Sequence, residues 1–287
     1  VVEGLASRLG ELKEKALREV KAIDVVGLCS KLVRARSENP PGDVSEAAGV
    51  AMDWLSEHGH DVRRLEPEPG RINVLVDEGR GRRCLLLMGH IDVVPAGDMG
   101  RWSFDPFCGD VRGGRVLGRG STDMKGGVAC IMAVFHALSG LLEEFNGRLK
   151  LALTCDEETG GRLGAGYMAE RGLLDADGCF IAEPSTPYLA ILGERGLCWL
   201  KLVARGRPAH GSVPELGVNA IRIAMEAVDK VLALHGREVE APGEIRDVLT
   251  GMEGLIEAAS DVLGLRPEVA RAFIRACSRI TVNVGTI

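Results

Sequence analysis

The stretch "LLLMGHIDVVP", residues 85–95, runs an apolar segment into a glycine and then presents an imidazole and a carboxylate, His90 and Asp92, two positions apart. Further along, "LALTCDEE" ends a second apolar run on Asp156, Glu157 and Glu158, and "GCFIAEPS" ends a third on Glu183. Between them, "GRGSTDMKGG" places Asp123 just ahead of a helical pattern. In α/β sheets, ligands gather beyond the carboxyl ends of the strands. One imidazole and several carboxylates converging on such a rim suit a divalent transition metal, zinc most readily. Because carboxylates outnumber imidazoles, the same residues also suit a bridged pair of ions roughly 3.5–4 Å apart.

Taken singly, each residue has a plainer reading. Asp92 can satisfy a turn amide, Glu157 and Glu158 can form a solvated face, and Glu183 before Pro184 can be a loop residue. The repetition of the pattern at several strand ends is what points to metal chemistry. Other chemistries are excluded. "GDVRGGRVLGRGSTD" is glycine-rich but fits neither the dinucleotide nor the P-loop pattern. No G-x-S-x-G elbow offers a serine nucleophile. His58 and His60 in "EHGHD" read as a turn after a helix, His136 as a core histidine on a helix, and His235 as a helix-end residue.

The elements that must position these groups are legible in outline. Helical patterns cover roughly 4–21, 24–35, 43–58, 123–139 and 162–171, and "SENPPGD" breaks the series because Pro40 and Pro41 cannot continue a helix. The short runs "INVLV", "CLLLM", "LKLALT" and "GCFIA" are apolar without alternation, as expected of strands covered on both faces. Strands alternating with helices predict an α/β layer with a mixed, largely parallel sheet and flanking helices. The texture changes near residue 188. "LCWLKLVARG" and "SRITVNVGTI" read as strands, and "GVNAIRIAMEAVDKVLAL" and "PEVARAFIRAC" as amphipathic helices. The expectation is a metal-binding catalytic domain over 1–190 and a smaller α+β lid or dimerisation domain over 191–287.

The 287 residues are 46 % hydrophobic, enough for sizeable cores, and the formal net charge is −6. Lys and Arg form no dense cluster, which argues against a nucleic-acid partner. No run of about 18 apolar residues exists, so no membrane-spanning helix is expected. The opening "VVEGLASRLGELKEKALREV" lacks the apolar region of a signal peptide. A cytoplasmic protein is the expectation. Eight cysteines without a C-x-x-C pair, most in apolar segments, read as small hydrophobes rather than a disulfide framework.

The motifs "GHIDVVP", "WSFDPF", "GRGSTDMKGG", "DEETGG", "AEPS" and "RPAHGSVPELGVNA", in this order and spacing, resemble the M20 metallopeptidase family. That family includes acetylornithine deacetylase, succinyl-diaminopimelate desuccinylase, aminoacylase and glutamate carboxypeptidase. The resemblance implies a zinc-exopeptidase-like fold and one or two zinc ions, with cobalt or manganese as alternatives. By the same resemblance His90 and Glu183 would hold one metal, Asp123 would bridge to a second held by Glu158, and the bond from Asp123 to Met124 would be cis. Asp92 would orient the His90 ring and Glu157 would act as general base. His210 would stabilise the oxyanion from a partner subunit, and Arg195 and Asn219 would hold the substrate carboxylate.

The implied activity is metal-dependent hydrolysis of the amide of an N-acyl amino acid, with a carboxypeptidase or dipeptidase acting on short peptides as the same-family alternative. The family pattern continues beyond a strand like "ITVNVGTI" and returns to the catalytic domain with a last metal-binding histidine and a further arginine. This sequence carries neither, so the 287-residue form is expected to bind its second metal weakly and to have little activity. A non-catalytic homologue serving binding or dimerisation is the alternative from another class.

Overall fold

The computed structural model describes residues 2–185, 191, 195–240, 243, 245–248, 251 and 266–285. Two compact units divide after Pro184. The first opens with three helices, α1 (Val2–Ala22), α2 (Val25–Arg34) and α3 (Ser45–Glu57). Helix α2 starts where the Asp24 carboxylate accepts a hydrogen bond from the Gly27 amide at 2.8 Å, satisfying one of the orphan donors of the first turn. Its buried stripe is Leu28, Leu32 and Val33. Strands β1 (Arg63–Leu65), β2 (Asn73–Gly79) and β3 (Arg83–His90) follow, then a small ribbon of β4 (Val111–Arg112) and β5 (Arg115–Val116). Helices α4 (Lys125–Ser139) and α5 (Leu142–Phe145) lead to β6 (Gly147–Thr154), a short α6 (Tyr167–Ala169) and β7 (Gly178–Ile181).

The sheet runs in the order β1-β2-β6-β3-β7. Strands β6, β3 and β7 are mutually parallel, whereas β2 is antiparallel to both β1 and β6. This is the mixed sheet with flanking helices that the sequence predicts. Alternation along each strand explains the two layers. Val74, Val76, Leu87, Leu151 and Leu153 share one core with Leu32, Leu55, Met132 and Phe135 of the helices. Leu75, Leu86 and Ala152 face the other way, onto Met168 and the flanking Leu173 and Leu174.

Two expectations need correction here. Strand β7 is exposed along its length, with Phe180 59 % exposed, because among the described residues it pairs only with β3. The helix expected over 162–171 is instead a wide turn, Arg162–Gly166, joined to α6. Gly164 leaves the helical region there and lies so close to the Cys155 carbonyl that a Cβ would come within 1.9 Å of it.

In the second unit, Asn219 caps helix α7 (Ala220–Leu232), and Pro267 opens helix α8 (Pro267–Cys277). The strands expected over 197–206 and 278–287 are not formed among the described residues. Only isolated bridges occur, Arg207 with Val218 and Glu238 with Arg279. Trp199 and Leu200 are more than 60 % exposed there, and without a ladder partner an apolar run has no reason to hold strand geometry. Residues 286 and 287 lie outside the described residues. No helix among those described is long and apolar enough to cross a membrane.

Candidate metal centre

Three parallel strands end side by side, and each delivers part of the site. Strand β3 closes on His90, β6 closes on Thr154 and turns into Asp156–Glu158, and β7 leads two residues on to Glu183. Asp123 comes from the loop before α4. In that loop Gly120 adopts a φ of +81°, and a Cβ would meet Val93 at 2.4 Å, so only glycine lets the turn close against the segment that follows β3. The bond from Asp123 to Met124 is cis, as the family resemblance implies.

His90 is the hub. Its Nε2 lies 3.1 Å from Asp123 Oδ1, 3.3 Å from Glu183 Oε1 and 3.7 Å from Glu157 Oε2. His90, Asp123 and Glu158 can each offer one donor atom such that all three lie within 4.8 Å of one another. Donors around one tetrahedral zinc at 2.0–2.2 Å sit roughly 3.3 Å apart; the His90–Asp123 and His90–Glu183 separations each match that spacing, while the three donors that converge together are those of His90, Asp123 and Glu158. The electrostatics fit as well. Burial opposes a charge on His90, but hydrogen bonds to Asp92 and Glu183 and the charges of Asp92 and Glu157 outweigh it and push its pKa to about 11. Burial, and next the charge of Asp123, pushes the Glu158 carboxyl up to about 7. Burial raises Glu157 too, with Glu183, Asp92 and Asp123 adding to the shift against the opposing charge of His90. Carboxyls raised first by burial and then by mutual repulsion are ones that a divalent ion would relieve.

Beneath these groups lies a frame of hydrogen bonds. Asp92 is fully buried. Its carboxylate accepts from the Asn39 side-chain amide at 2.8 Å and from the backbone N–H groups of Glu157 and Glu158 at 3.2 Å each. Burial alone would raise the Asp92 carboxyl, yet hydrogen bonds from His90 and Asn39 hold it below the usual carboxylate range. The nearest acceptor for the His90 Nδ1–H is the Asp92 main-chain carbonyl at 2.9 Å, with the carboxylate at 3.5 Å, so residue 92 orients the ring with its backbone more than with its side chain. Asn39 also donates to Thr159 Oγ1 at 2.9 Å, and Arg71 donates to Asn39 Oδ1 at 3.2 Å. Asp156, at a left-handed φ of 69°, accepts from Thr159 Oγ1 and the Leu163 amide.

Asn39, Arg71 and Thr159 have no place in the sequence reading, because their partners are distant in the chain and leave no spacing signal. Arg119 escapes it as well. It lines a cavity of about 150 Å³ beside Asp123 and Glu158, and its buried Nε has no hydrogen-bond partner among the described residues.

The remaining sequence candidates lie in the second unit. His210 is exposed, and its Nδ1 accepts from the Ser212 amide at 3.3 Å and meets the Ser212 hydroxyl at 2.7 Å. Arg195 Nη1 donates to the Ala276 carbonyl and to Thr281 Oγ1, both at 2.9 Å. Asn219 Oδ1 accepts from the amides of Ile221 and Arg222, a helix cap that the sequence reading passed over in favour of a substrate role.

A model of peptidase family M20/M25/M40 matches residues 86–273, from the middle of β3 through α7 and into α8. The chain belongs to that family. Among M20 proteins it is similar to the probable succinyl-diaminopimelate desuccinylase of Staphylococcus epidermidis, with 33 % identity over 209 residues, 72 % of this chain and 51 % of that protein. It is also similar to the acetylornithine deacetylase of Vibrio campbellii, with 37 % identity over 206 residues, 71 % of this chain and 53 % of that one. The chain thus spans about half the length of the curated relatives it matches. A solved M20 family metallo-carboxypeptidase, Sso-CP2 from Sulfolobus solfataricus, shares the fold with a TM-score of 0.59 at 18 % identity, over 87 % of this chain and 63 % of that one.

Proposed function

We propose that this chain carries the metal-binding machinery of an amidohydrolase acting on N-acyl amino acids, of the acetylornithine deacetylase or succinyl-diaminopimelate desuccinylase type. The position of Glu157 carries the reading. Its carboxylate is 3.7 Å from His90 Nε2, farther than those of Asp123 at 3.1 Å and Glu183 at 3.3 Å, which leaves it free to handle a proton. Zinc, one ion or two, is the proposed metal. His90, Asp123 and Glu183 would hold the first ion, and Asp123 and Glu158 the second. Bound there, the ion would acidify water and polarise the scissile carbonyl.

The work of the side chains follows. Glu157 takes the proton from the attacking water and returns it to the leaving amine; a carboxyl raised by burial suits both steps. Asp92 and Asn39 hold the Glu157–Glu158 turn so that both carboxylates keep their places. His210 supplies the oxyanion donor from a partner subunit in a homodimer built through the second unit. Its Nδ1 is occupied as an acceptor, which leaves the proton on Nε2, the atom that must donate. Arg195 and Asn219 serve the substrate carboxylate, a task for which a guanidinium fork is suited. The reaction takes place in the cytoplasm.

Whatever turnover of N-acetylornithine or N-succinyl-diaminopimelate the chain supports, Glu157→Gln is expected to lower it by about 10²–10⁴-fold while leaving zinc uptake intact. Asp123→Ala is expected to lose zinc at the rim. Unchanged turnover in Glu157→Gln, measured beside a zinc-loaded wild type, would overturn the reading.

A further inference from the structure

Away from the carboxylate rim, three histidines meet. His58 ends α3, His60 follows it in the loop, and His136 lies in the last turn of α4. With Lys15 and Glu19 of α1, Glu78 of β2 and Ser139, they line a cavity of about 330 Å³. The hydrogen bonds fix which ring nitrogens are free. Glu78 Oε1 lies 2.8 Å from His60 Nδ1, and a carboxylate can only accept, so His60 carries its proton on Nδ1. His60 Nε2 is then the acceptor in its 3.1 Å contact with His136 Nδ1, which puts the His136 proton on Nδ1. His58 Nδ1 lies 2.7 Å from the Trp54 carbonyl and donates to it. The lone pairs of His58 Nε2 and His136 Nε2 therefore remain, and no described residue hydrogen-bonds to either.

We propose that this cavity is a second metal site, in which His58 Nε2 and His136 Nε2 bind a borderline divalent ion such as zinc or copper. Each ring shows the arrangement of a metal-ligating histidine, with the far nitrogen anchored to a carbonyl or to a neighbour that is itself held by a carboxylate. The two ring centres are 4.9 Å apart with planes at 78°. Two imidazoles on one zinc with bonds of roughly 2.0–2.1 Å place their ring centres about 5 Å apart. The C-terminal ends of α3 and α4 meet at the cavity, and their partial negative charge favours a cation. Glu19 lines the same wall, while Lys15 is engaged with Glu144 at 3.8 Å. Burial disfavours a proton on His136, and a proton on His60 or His58 would disfavour it further, against the smaller pull of Glu19 and Glu78; its pKa is held below the ordinary value, so it is neutral and ready to ligate near pH 7. Nitrogen donors select transition ions over calcium or magnesium. A bound ion would fasten α3 to α4 and add to folded-state stability by mass action.

The test uses the 287-residue chain carrying His90→Gln and Asp123→Asn, which disables the rim. Equilibrium dialysis against Zn²⁺ near pH 7.5 is expected to retain about one ion per chain. Adding His58→Ala or His136→Gln removes that ion, and His60→Ala, which takes away the neighbour of His136, weakens it about 10–100-fold. Because Trp54 stacks on His58 at 3.8 Å, Cu²⁺ is also expected to quench its fluorescence, and Trp54→Phe to abolish that response. Circular dichroism confirms that each variant folds. No retained zinc in the rim-disabled chain, or retention indifferent to both His58→Ala and His136→Gln, overturns the proposal.

Discussion

The first unit holds two groups of histidine, and their neighbours drive them in opposite directions. His90 stands among Asp92, Asp123, Glu157 and Glu183, and its pKa rises to about 11 despite burial. His136 stands against His60 and His58, and burial together with those neighbours holds it below its ordinary value. The same side chain therefore keeps a proton in one place and sheds it in the other. The acid-rich rim holds an excess of negative charge that an ion must balance, whereas the histidine cavity offers neutral donors. Sign, not residue type, separates the two regions.

The largest expected effect tests whether the rim depends on its frame. Asp92→Ala strips the acceptor from Asn39 and from the Glu157 and Glu158 amides, and it removes a buried carboxylate charge 3.5 Å from the protonated His90, whose ring keeps the main-chain carbonyl. The metal-free protein is expected to lose roughly 3–5 kcal/mol of stability in denaturant unfolding. A loss under about 1 kcal/mol, the size of a surface change, would mean that Asp92 is not the keystone of that turn.

A smaller change probes packing behind the rim. Gly127, in the first turn of α4, faces the strand β7 side so closely that a Cβ would come within 2.2 Å of the Ala182 carbonyl. Glu183 is the next residue. Gly127→Ala is expected to push residues 182–183 outward and weaken zinc at the rim, while zinc in the histidine cavity is unaffected. Equal affinities at the rim before and after the change would show that Glu183 is not a ligand.

Proton counting sharpens the contrast directly. Near pH 7 His90 is protonated and Glu158, at about 7, is partly so, and both must release protons to bind an ion. Calorimetry in buffers of different ionisation enthalpy is expected to show about 1–2 protons released per ion at the rim. The histidine cavity, with His136 already neutral, is expected to release fewer. Similar counts at the two sites would dissolve the distinction.

How much of this was legible in the sequence follows from the range of each interaction. His90, Glu157, Glu158 and Glu183 each follow an apolar run, and Asp123 precedes a helix, so local pattern was enough to mark them and the sheet that aligns them. The parallel pairing of β3 with β6 and β7 then brought them together. Asn39, Arg71 and Thr159 could not be read this way, because the contacts that define them span tens of residues. The link between His60 and His136 crosses 76 positions, and two separate histidines read as a turn residue and a core residue. Asn219 is the opposite case: an asparagine directly ahead of an amphipathic run is a local capping signal, and a cap made through Oδ1 is compatible with the substrate role that the family motif implies. The apolar run at 197–206 failed for a different reason, since a strand exists only with a partner to pair with.

The smallest expected effect lies in the acid limb of stability, and there the two regions must differ in sign. A histidine whose folded pKa is raised contributes stability that is complete below the unfolded value near 6.5 and is lost as pH climbs towards 11, which describes His90 in the metal-free protein. A histidine whose folded pKa is lowered does the reverse. As pH falls below about 6.5 the unfolded chain takes up the proton first, and the fold is penalised until His136 itself titrates. Denaturant midpoints of the metal-free chain between pH 7 and pH 5 should therefore fall less steeply in His136→Gln than in the wild type, because the glutamine keeps a polar group but cannot take the proton. In His90→Gln the fall over the same range should be steeper than in the wild type, since folded His90 is protonated throughout it while its unfolded counterpart gains a proton, so acidification adds a stabilisation that the glutamine lacks; the same linkage appears as lost stabilisation of the wild type on moving from pH 7 to pH 9. If both variants shift the acid limb alike, the two histidine environments are not opposed in sign.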